Sequence, residues 1–270
     1  MSISLSPAHQ SDIVARLRAS GCVFAEDEAR LLAAQARTPA ELAAMVERRV
    51  AGIPLEHVLG WVEFCGLRIA VDPGVFVPRR RTEFLVREAV AVARPRPVVV
   101  DLCCGAGAVG AALVAALLHA ELHAVDVEAA AVRCARRNLA TAQVYEGDLF
   151  APLPAGLRGR VDLLAANVPY VPSDAIGLMP PEARIHEPRV ALDGGVDGLD
   201  VLRRVSSQAP RWLAPGGHVL VETSERQASR AVEVFAGDGL IARVATCDEL
   251  GATVVVGTRP GEVAQAEPRR

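Results

Sequence analysis

The chain has 270 residues, 51% of them hydrophobic, and a formal net charge of −3. That apolar content excludes a globally disordered chain and is enough for a sizeable core. The charge balance counts against a general nucleic-acid binder, which carries a basic excess, and every one of the 29 basic residues is arginine.

The first ten residues, MSISLSPAHQ, lack the basic-then-apolar layout of a signal peptide. Residues 1–52 read as helical. Ser6 is placed to cap a helix that opens at Pro7, with Ile13, Val14 and Leu17 on one face. Thr38 and Pro39 repeat that start, Glu41 stands where a capping box needs it, and Leu42, Met45 and Val46 form the apolar stripe. Helices this short need partners, so a small N-terminal helical domain packed on the rest is expected. Residues 53–77 mix β-formers with Gly and Asp-Pro-Gly breaks and predict a β-hairpin linker.

From about Pro97, strands and helices alternate. VVVDL, ELHAVDV, AQVYEGD, GRVDLLAANV and HVLVET read as strands; AVGAALVAALLHA, EAAAVRCARRNLA and LDVLRRVSSQAPRWL read as helices. IARVATCD and ATVVVGT close the pattern as a hairpin. The expectation is a doubly wound, Rossmann-like α/β sheet with an antiparallel C-terminal edge over residues 78–259, then a flexible tail over 260–270. The longest apolar stretch, about Ala106 to Leu118, is too short to cross a bilayer. The six cysteines, at 22, 65, 103, 104, 134 and 247, form no CxxC pair, and no histidines stand at metal-ligand spacing. A cytoplasmic protein with reduced thiols, no metal and no membrane association is expected.

DLCCGAGAVG ends the first strand of the alternating region and opens a helix. Gly105 and Gly107 permit a tight turn and close approach to a ligand, and Asp126 ends the next strand, where a carboxylate can accept ribose hydroxyls. A structural turn with a capping acid is the competing reading. Asp101 precedes the glycines; a carboxylate there repels a pyrophosphate and suits an ammonium, which favours S-adenosylmethionine over a dinucleotide. Asp148, at the end of the third strand, is either an adenine acceptor or an ordinary loop acid, with Leu149 and Phe150 available to pack on the ring. AANVPY follows another apolar strand. Asn167 and the Val168 carbonyl can accept the N–H groups of a planar amine or amide, Pro169 stiffens the turn, and Tyr170 offers an aromatic wall.

DLCCGAGAVG, AVDVEAAAVRCARRN, EGDLF and NVPY together resemble the motifs of class I S-adenosylmethionine-dependent methyltransferases. RRVAGIPLEHVLG, EFCGLRIAVDPGVFVPRRRTE and HEPRVALDGGVDGLDVLRRV narrow the resemblance to the HemK/PrmC family of protein-(glutamine-N5) methyltransferases, which modify peptide chain release factors. It runs over about residues 24–257. The resemblance implies catalysis by Asn167, Val168, Pro169 and Tyr170. It implies cofactor contacts from Asp101, Cys103, Cys104, Gly105, Ala106, Gly107, Asp126, Val127, Asp148, Leu149 and Asn167.

The chain departs from the family pattern at three places: Val168 replaces the first proline of Asn-Pro-Pro-Tyr, Arg80 replaces a proline in PRRRTE, and Cys103 replaces a glycine. Glu187, beside Pro188, either orients the loop near the substrate or makes a plain salt bridge. Arg79, Arg80 and Arg81 read as a solvated charge run or as a contact for an acidic partner. His186 is not expected to act as a base. The expected partner is a release factor, the expected state a monomer without stable nucleic-acid binding. Competing readings are methylation of an exocyclic amine on a base, methylation of a small molecule, and S-adenosylmethionine binding without catalysis.

Overall fold

The structure is a computed structural model and describes residues 6–261; the expectation for the tail beyond Gly261 lies outside them. Four helices come first: α1 (Pro7–Ala19), α2 (Ala25–Gln35), α3 (Pro39–Val50) and α4 (Leu55–Leu59). Ser6 caps α1 by accepting from the His9 N–H at 3.3 Å. Thr38 caps α3 through the Glu41 N–H at 3.1 Å, but Glu41 completes no capping box: its carboxylate takes the Arg37 N–H instead, at 2.9 Å. Ile13, Leu17, Leu32, Leu42, Val46, Val58 and Leu59 form one buried cluster among these helices.

The stretch expected as a hairpin linker differs in two ways. Its first part is α4, and only β1 (Trp61–Phe64) and β2 (Leu67–Ala70) pair, antiparallel, around the Cys65-Gly66 turn. Beyond the hairpin, Val71, Val75 and Val77 are buried, and with Phe64 and Ile69 they join the core of the main sheet. Their β-branched and aromatic side chains serve burial there rather than a free connection.

The main sheet holds β3 (Val98–Leu102), β4 (Glu121–Asp126), β5 (Gln143–Glu146), β6 (Val161–Ala166), β7 (Leu213–Thr223), β8 (Ile241–Cys247) and β9 (Ala252–Thr258). Their order is β5-β4-β3-β6-β7-β9-β8, with β5 through β7 parallel and β9 antiparallel to both neighbours. The alternation of side chains sends Val99, Leu163, Leu220 and Val254 to one face and Val100, Leu164, Val219 and Val255 to the other. Helices α5 (Glu83–Val92), α6 (Ala108–Ala116) and α7 (Ala129–Asn138) cover the first face. After the short α8 (Pro181–His186), α9 (Asp200–Trp212) and α10 (Glu225–Gly237) cover the second. The chain order reverses between β3 and β6. Loops leaving the carboxyl ends of these two strands diverge to opposite sides and leave a crevice, the position where open α/β sheets bind ligands. No helix among the described residues is long and apolar enough to cross a membrane.

Candidate active site

A cavity of about 170 Å³ opens at that crevice. Of the residues read as catalytic or cofactor-binding, all line it except Gly107, and Phe150 does not line it either. At Gly107 the structure shows a packing requirement. At φ +79° it starts α6, and a Cβ there would sit 2.8 Å from the Leu139 side chain. Gly105 lines the cavity: at φ +54° its missing Cβ would point into open space. Phe150 turns into the core and stacks on Trp212 with ring centroids 5.5 Å apart, so Leu149 alone of that pair is left to face a ligand.

Asp101 is 1% exposed at the end of β3, and its Oδ2 accepts the Gly110 N–H at 2.9 Å. Burial pushes its carboxyl up to about 7, against the pull of that hydrogen bond and helped by nearby Asp126. Asp126 ties the glycine turn to β4: Oδ2 accepts from Gly105 N–H at 2.8 Å and Oδ1 from Glu128 N–H at 2.9 Å. Both readings of this residue thus meet in one group, because each oxygen keeps a second lone pair and the side chain lines the cavity. Half-exposed Val127 lies beside it. Asp148 pairs with Arg204, and both line the cavity.

Cys103, the substitute for a family glycine, adopts φ +55°. A side chain in the left-handed region costs about 1–2 kcal/mol, while glycine adds roughly 0.5–1 kcal/mol of unfolded-chain entropy. Cys103→Gly is therefore expected to raise the melting temperature by about 1–3 °C; a scanning-calorimetry midpoint that falls would contradict the strain argument.

On the other side of the crevice, Asn167 follows β6. Its Nδ2 donates to Thr82 Oγ1 at 3.2 Å, and among the described residues no donor engages its Oδ1. The buried Thr82 therefore sets which end of the amide faces the cavity. Tyr170 donates its hydroxyl to Glu222 Oε1 at 3.0 Å. Burial, reinforced by Glu222, lifts the phenol above its usual range, so it stays a neutral donor. Gln227 Nε2 bridges the Tyr170 and Asp197 carbonyls, both at 2.9 Å. The glycines of LDGGVDGLD follow from this: a Cβ on Gly198 would lie 2.3 Å from the Tyr170 carbonyl oxygen, and one on Gly194 2.7 Å from that of Pro169. They let a second strand of chain lie against the NVPY turn.

The arginine triplet is more than a solvated run. Arg79 pairs with Glu187 and Arg81 with Glu222, both carboxylates buried, while Arg80 stays exposed. Glu187 also accepts the Val77 N–H at 3.3 Å, so it orients the loop by means of its salt bridge. His186 does not line the cavity. Sequence reasoning missed the wall formed by Phe64, Val75, Phe76, Pro78 and Thr82, from the stretch taken as linker and the turn after it. It also missed Glu222 and Gln227. The available signal for Glu222 was an acid inside the apolar run HVLVET, since a buried charge needs a partner.

A seven-stranded sheet reversing between β3 and β6, a glycine turn with two strand-end acids, and an Asn-x-Pro-Tyr turn opposite define a class I S-adenosylmethionine-dependent methyltransferase. Residues 66–241 match the family model described as "Methyltransferase small domain". Among solved structures, the fold is similar to a ribosomal protein L11 methylase from Lactobacillus delbrueckii subsp. bulgaricus (TM-score 0.52, 17% identity, 71% of this chain and 85% of that one). It is also similar to a methyltransferase from Pyrococcus furiosus (TM-score 0.55, 15% identity, 72% and 90%). Proteins named release factor glutamine methyltransferase are closer in sequence. That of Geobacter sulfurreducens is 40% identical over 83% of this chain and 80% of its own, and that of Mycolicibacterium smegmatis 41% over 79% and 78%. The chain belongs to the release factor glutamine methyltransferase family.

Proposed function

We propose that the chain transfers a methyl group from S-adenosylmethionine to the side-chain amide nitrogen (N5) of a glutamine in a peptide chain release factor. The observation that carries this reading is Asn167, whose Nδ2 is held by Thr82 so that a carbonyl oxygen is presented to the cavity. An amide nitrogen is a poor nucleophile because its lone pair is delocalised. Asn167 Oδ1 and the Val168 carbonyl accept its two N–H groups, fix its plane, and favour the positive charge that develops on nitrogen. The Val168 acceptor is a backbone atom, so the change from the family proline leaves it in place. Tyr170 walls the flat group, and the product gives its extra proton to water.

S-adenosylmethionine, when bound, supplies an electrophilic methyl group on a sulfonium. The residues fit it. Asp101 offers a buried carboxylate to the ammonium, Gly105 leaves room for the chain, and Asp126 has lone pairs for the ribose. Val127 and Leu149 give apolar contacts beside Asp148. Because the Asp101 carboxyl is lifted to about 7, it is largely neutral below that pH and ionised above it. A cationic ligand favours the ionised form, so binding should tighten as pH rises through 7. Titration calorimetry is expected to give a dissociation constant about threefold to tenfold weaker at about pH 6 than at about pH 7.5, with proton release. A flat profile, or an unchanged slope in Asp101→Asn, would remove Asp101 from this role.

The helices of residues 1–52 are proposed as the grip on the protein acceptor. In support, α3 reaches the catalytic side: Arg49 pairs with Glu182 of α8 at 2.7 Å. A monomer in a reducing cytoplasm, without stable nucleic-acid binding, fits the six free cysteines and the net charge of −3. The test is methylation of the organism's release factors by purified enzyme with labelled S-adenosylmethionine, read by mass spectrometry. One added methyl on a glutamine side chain supports the reading. Label in nucleic acid or in other proteins only would replace it.

A further inference from the structure

One buried carboxylate beside the site has no part in the chemistry above. Glu222 is 2% exposed near the end of β7, after Val219, Leu220 and Val221, all fully buried. Its Oε1 accepts from the Tyr170 hydroxyl at 3.0 Å and from Arg81 Nε at 3.1 Å. Its Oε2 is buried with no hydrogen-bond partner among the described residues. A carboxylate in that condition is costly, and a well-packed apolar residue of similar volume is often as stable or more so. Stability alone therefore gives β7 no reason to carry it.

The two groups it gathers both line the cavity and come from segments far apart in sequence. Tyr170 belongs to the turn after β6, and Arg81 to the 3-10 turn that leads into α5. Arg81 is followed by Thr82, which holds Asn167. We infer that Glu222 is a positioning residue for methyl transfer: a single carboxylate oxygen sets the tilt of the Tyr170 ring and docks the segment that orients Asn167. Glu222 itself does not line the cavity and touches no reacting atom. The hydroxyl-to-carboxylate bond is charge-assisted and directional. It restrains the ring from its hydroxyl end, through a group held in turn by Arg81. The Arg81 guanidinium, 5.9 Å from the ring centroid, closes the triangle. The inference rests on the acceptor site as read above and adds to it the group that assembles it.

The experiment uses full-length enzyme, release factor and labelled S-adenosylmethionine with Glu222→Ala, Glu222→Gln, Tyr170→Phe and the Ala/Phe double variant. Glu222→Ala is expected to lower kcat by about 10–100-fold, the loss that small misplacements of a bound amide bring. The dissociation constant for S-adenosylmethionine should stay within about threefold, because β3 and β4 carry those contacts. Glu222→Gln keeps an acceptor oxygen and is expected to recover most of kcat. The double variant should be no slower than the slower single variant, since both remove one interaction.

A second readout needs no acceptor. The chain has only two tyrosines, so 3-fluorotyrosine labelling gives two ¹⁹F resonances. That of Tyr170, assigned by Tyr170→Phe, should shift and broaden in Glu222→Ala and stay narrow in Glu222→Gln. If the alanine variant does not fold, Glu222→Met, of similar volume, takes its place in both measurements. Additive losses in the double variant, or an unaltered Tyr170 resonance in the apolar variant, would overturn the inference. If wild-type enzyme leaves release factors unmodified, the proposed substrate fails, and the ¹⁹F result still decides the role of Glu222.

Discussion

Asn167→Ala is expected to lower kcat for glutamine methylation by about 10²–10³-fold, the cost of removing one preorganised polar group aimed at developing charge. S-adenosylmethionine binding should persist, because Asp101, Gly105 and Asp126 sit on β3, β4 and the turn between them. The residue differs from a structural asparagine in one respect. Its side chain makes one hydrogen bond among the described residues, from Nδ2 to Thr82, so its removal releases Thr82 Oγ1 and leaves the rest of the turn tied by Gln227 and the Val171–Leu192 pairing. Single-turnover kinetics with calorimetric binding separate the two effects. Thr82→Val should reproduce part of the loss, because it frees the amide to flip while leaving Asn167 in place. Equal weakening of cofactor affinity and rate in Asn167→Ala would instead mark the turn as scaffolding.

The second large effect lies outside the chemistry. Arg49 on α3 is 6% exposed and grips Glu28 of α2 with two nitrogens, at 2.6 and 3.1 Å, while its third reaches Glu182 at 2.7 Å and the Ile53 carbonyl at 3.3 Å. Glu28 is 8% exposed. Arg49→Met leaves that carboxylate buried and uncompensated, which costs about 3–5 kcal/mol. Adding Glu28→Leu should restore most of the stability, since breaking such a pair is worse than replacing both members. Glu182→Ala, at the half-exposed end, should cost no more than about 1 kcal/mol. Urea unfolding monitored at the two tryptophans measures all three. A loss below about 1 kcal/mol in Arg49→Met would show that water reaches Glu28 after the change.

Much of the sheet was legible because its central strands β3, β6 and β9 are buried on both faces and read as short apolar runs, and its first two helices carry an uninterrupted apolar or amphipathic pattern. The polar residues that line the cavity were legible for a related reason. Asp101, Asp126 and Asn167 are polar groups at the ends of apolar strands, where core packing does not ask for them. The support beneath them was not. Thr82 and Asn167 lie 85 positions apart, and Arg81 and Glu222 lie 141 apart; no local pattern announces such pairs. The packing contacts of Gly107 and Phe150 were hidden for the same reason. Their neighbours Leu139 and Trp212 come from other elements, so a motif position alone does not say whether a residue faces ligand or core. The wall from residues 64–82 was hidden by its short strands and turns, which look the same whether they connect two domains or roof a cavity.

The separation between Arg81 and Glu222 has a consequence for how the protein is made. The glycine turn closes on Asp126 across 21 residues, so all of its groups are present once β3, α6 and β4 have been synthesised. The Tyr170 wall closes only when β7 arrives with Glu222, because loop closure over long stretches is slow and needs both ends present. A chain emerging from the ribosome therefore holds every group of the glycine turn well before those of the Tyr170 wall. Chains stalled after β6 lack Glu222 and should be incompetent for transfer, a temporal order that keeps a half-made enzyme silent.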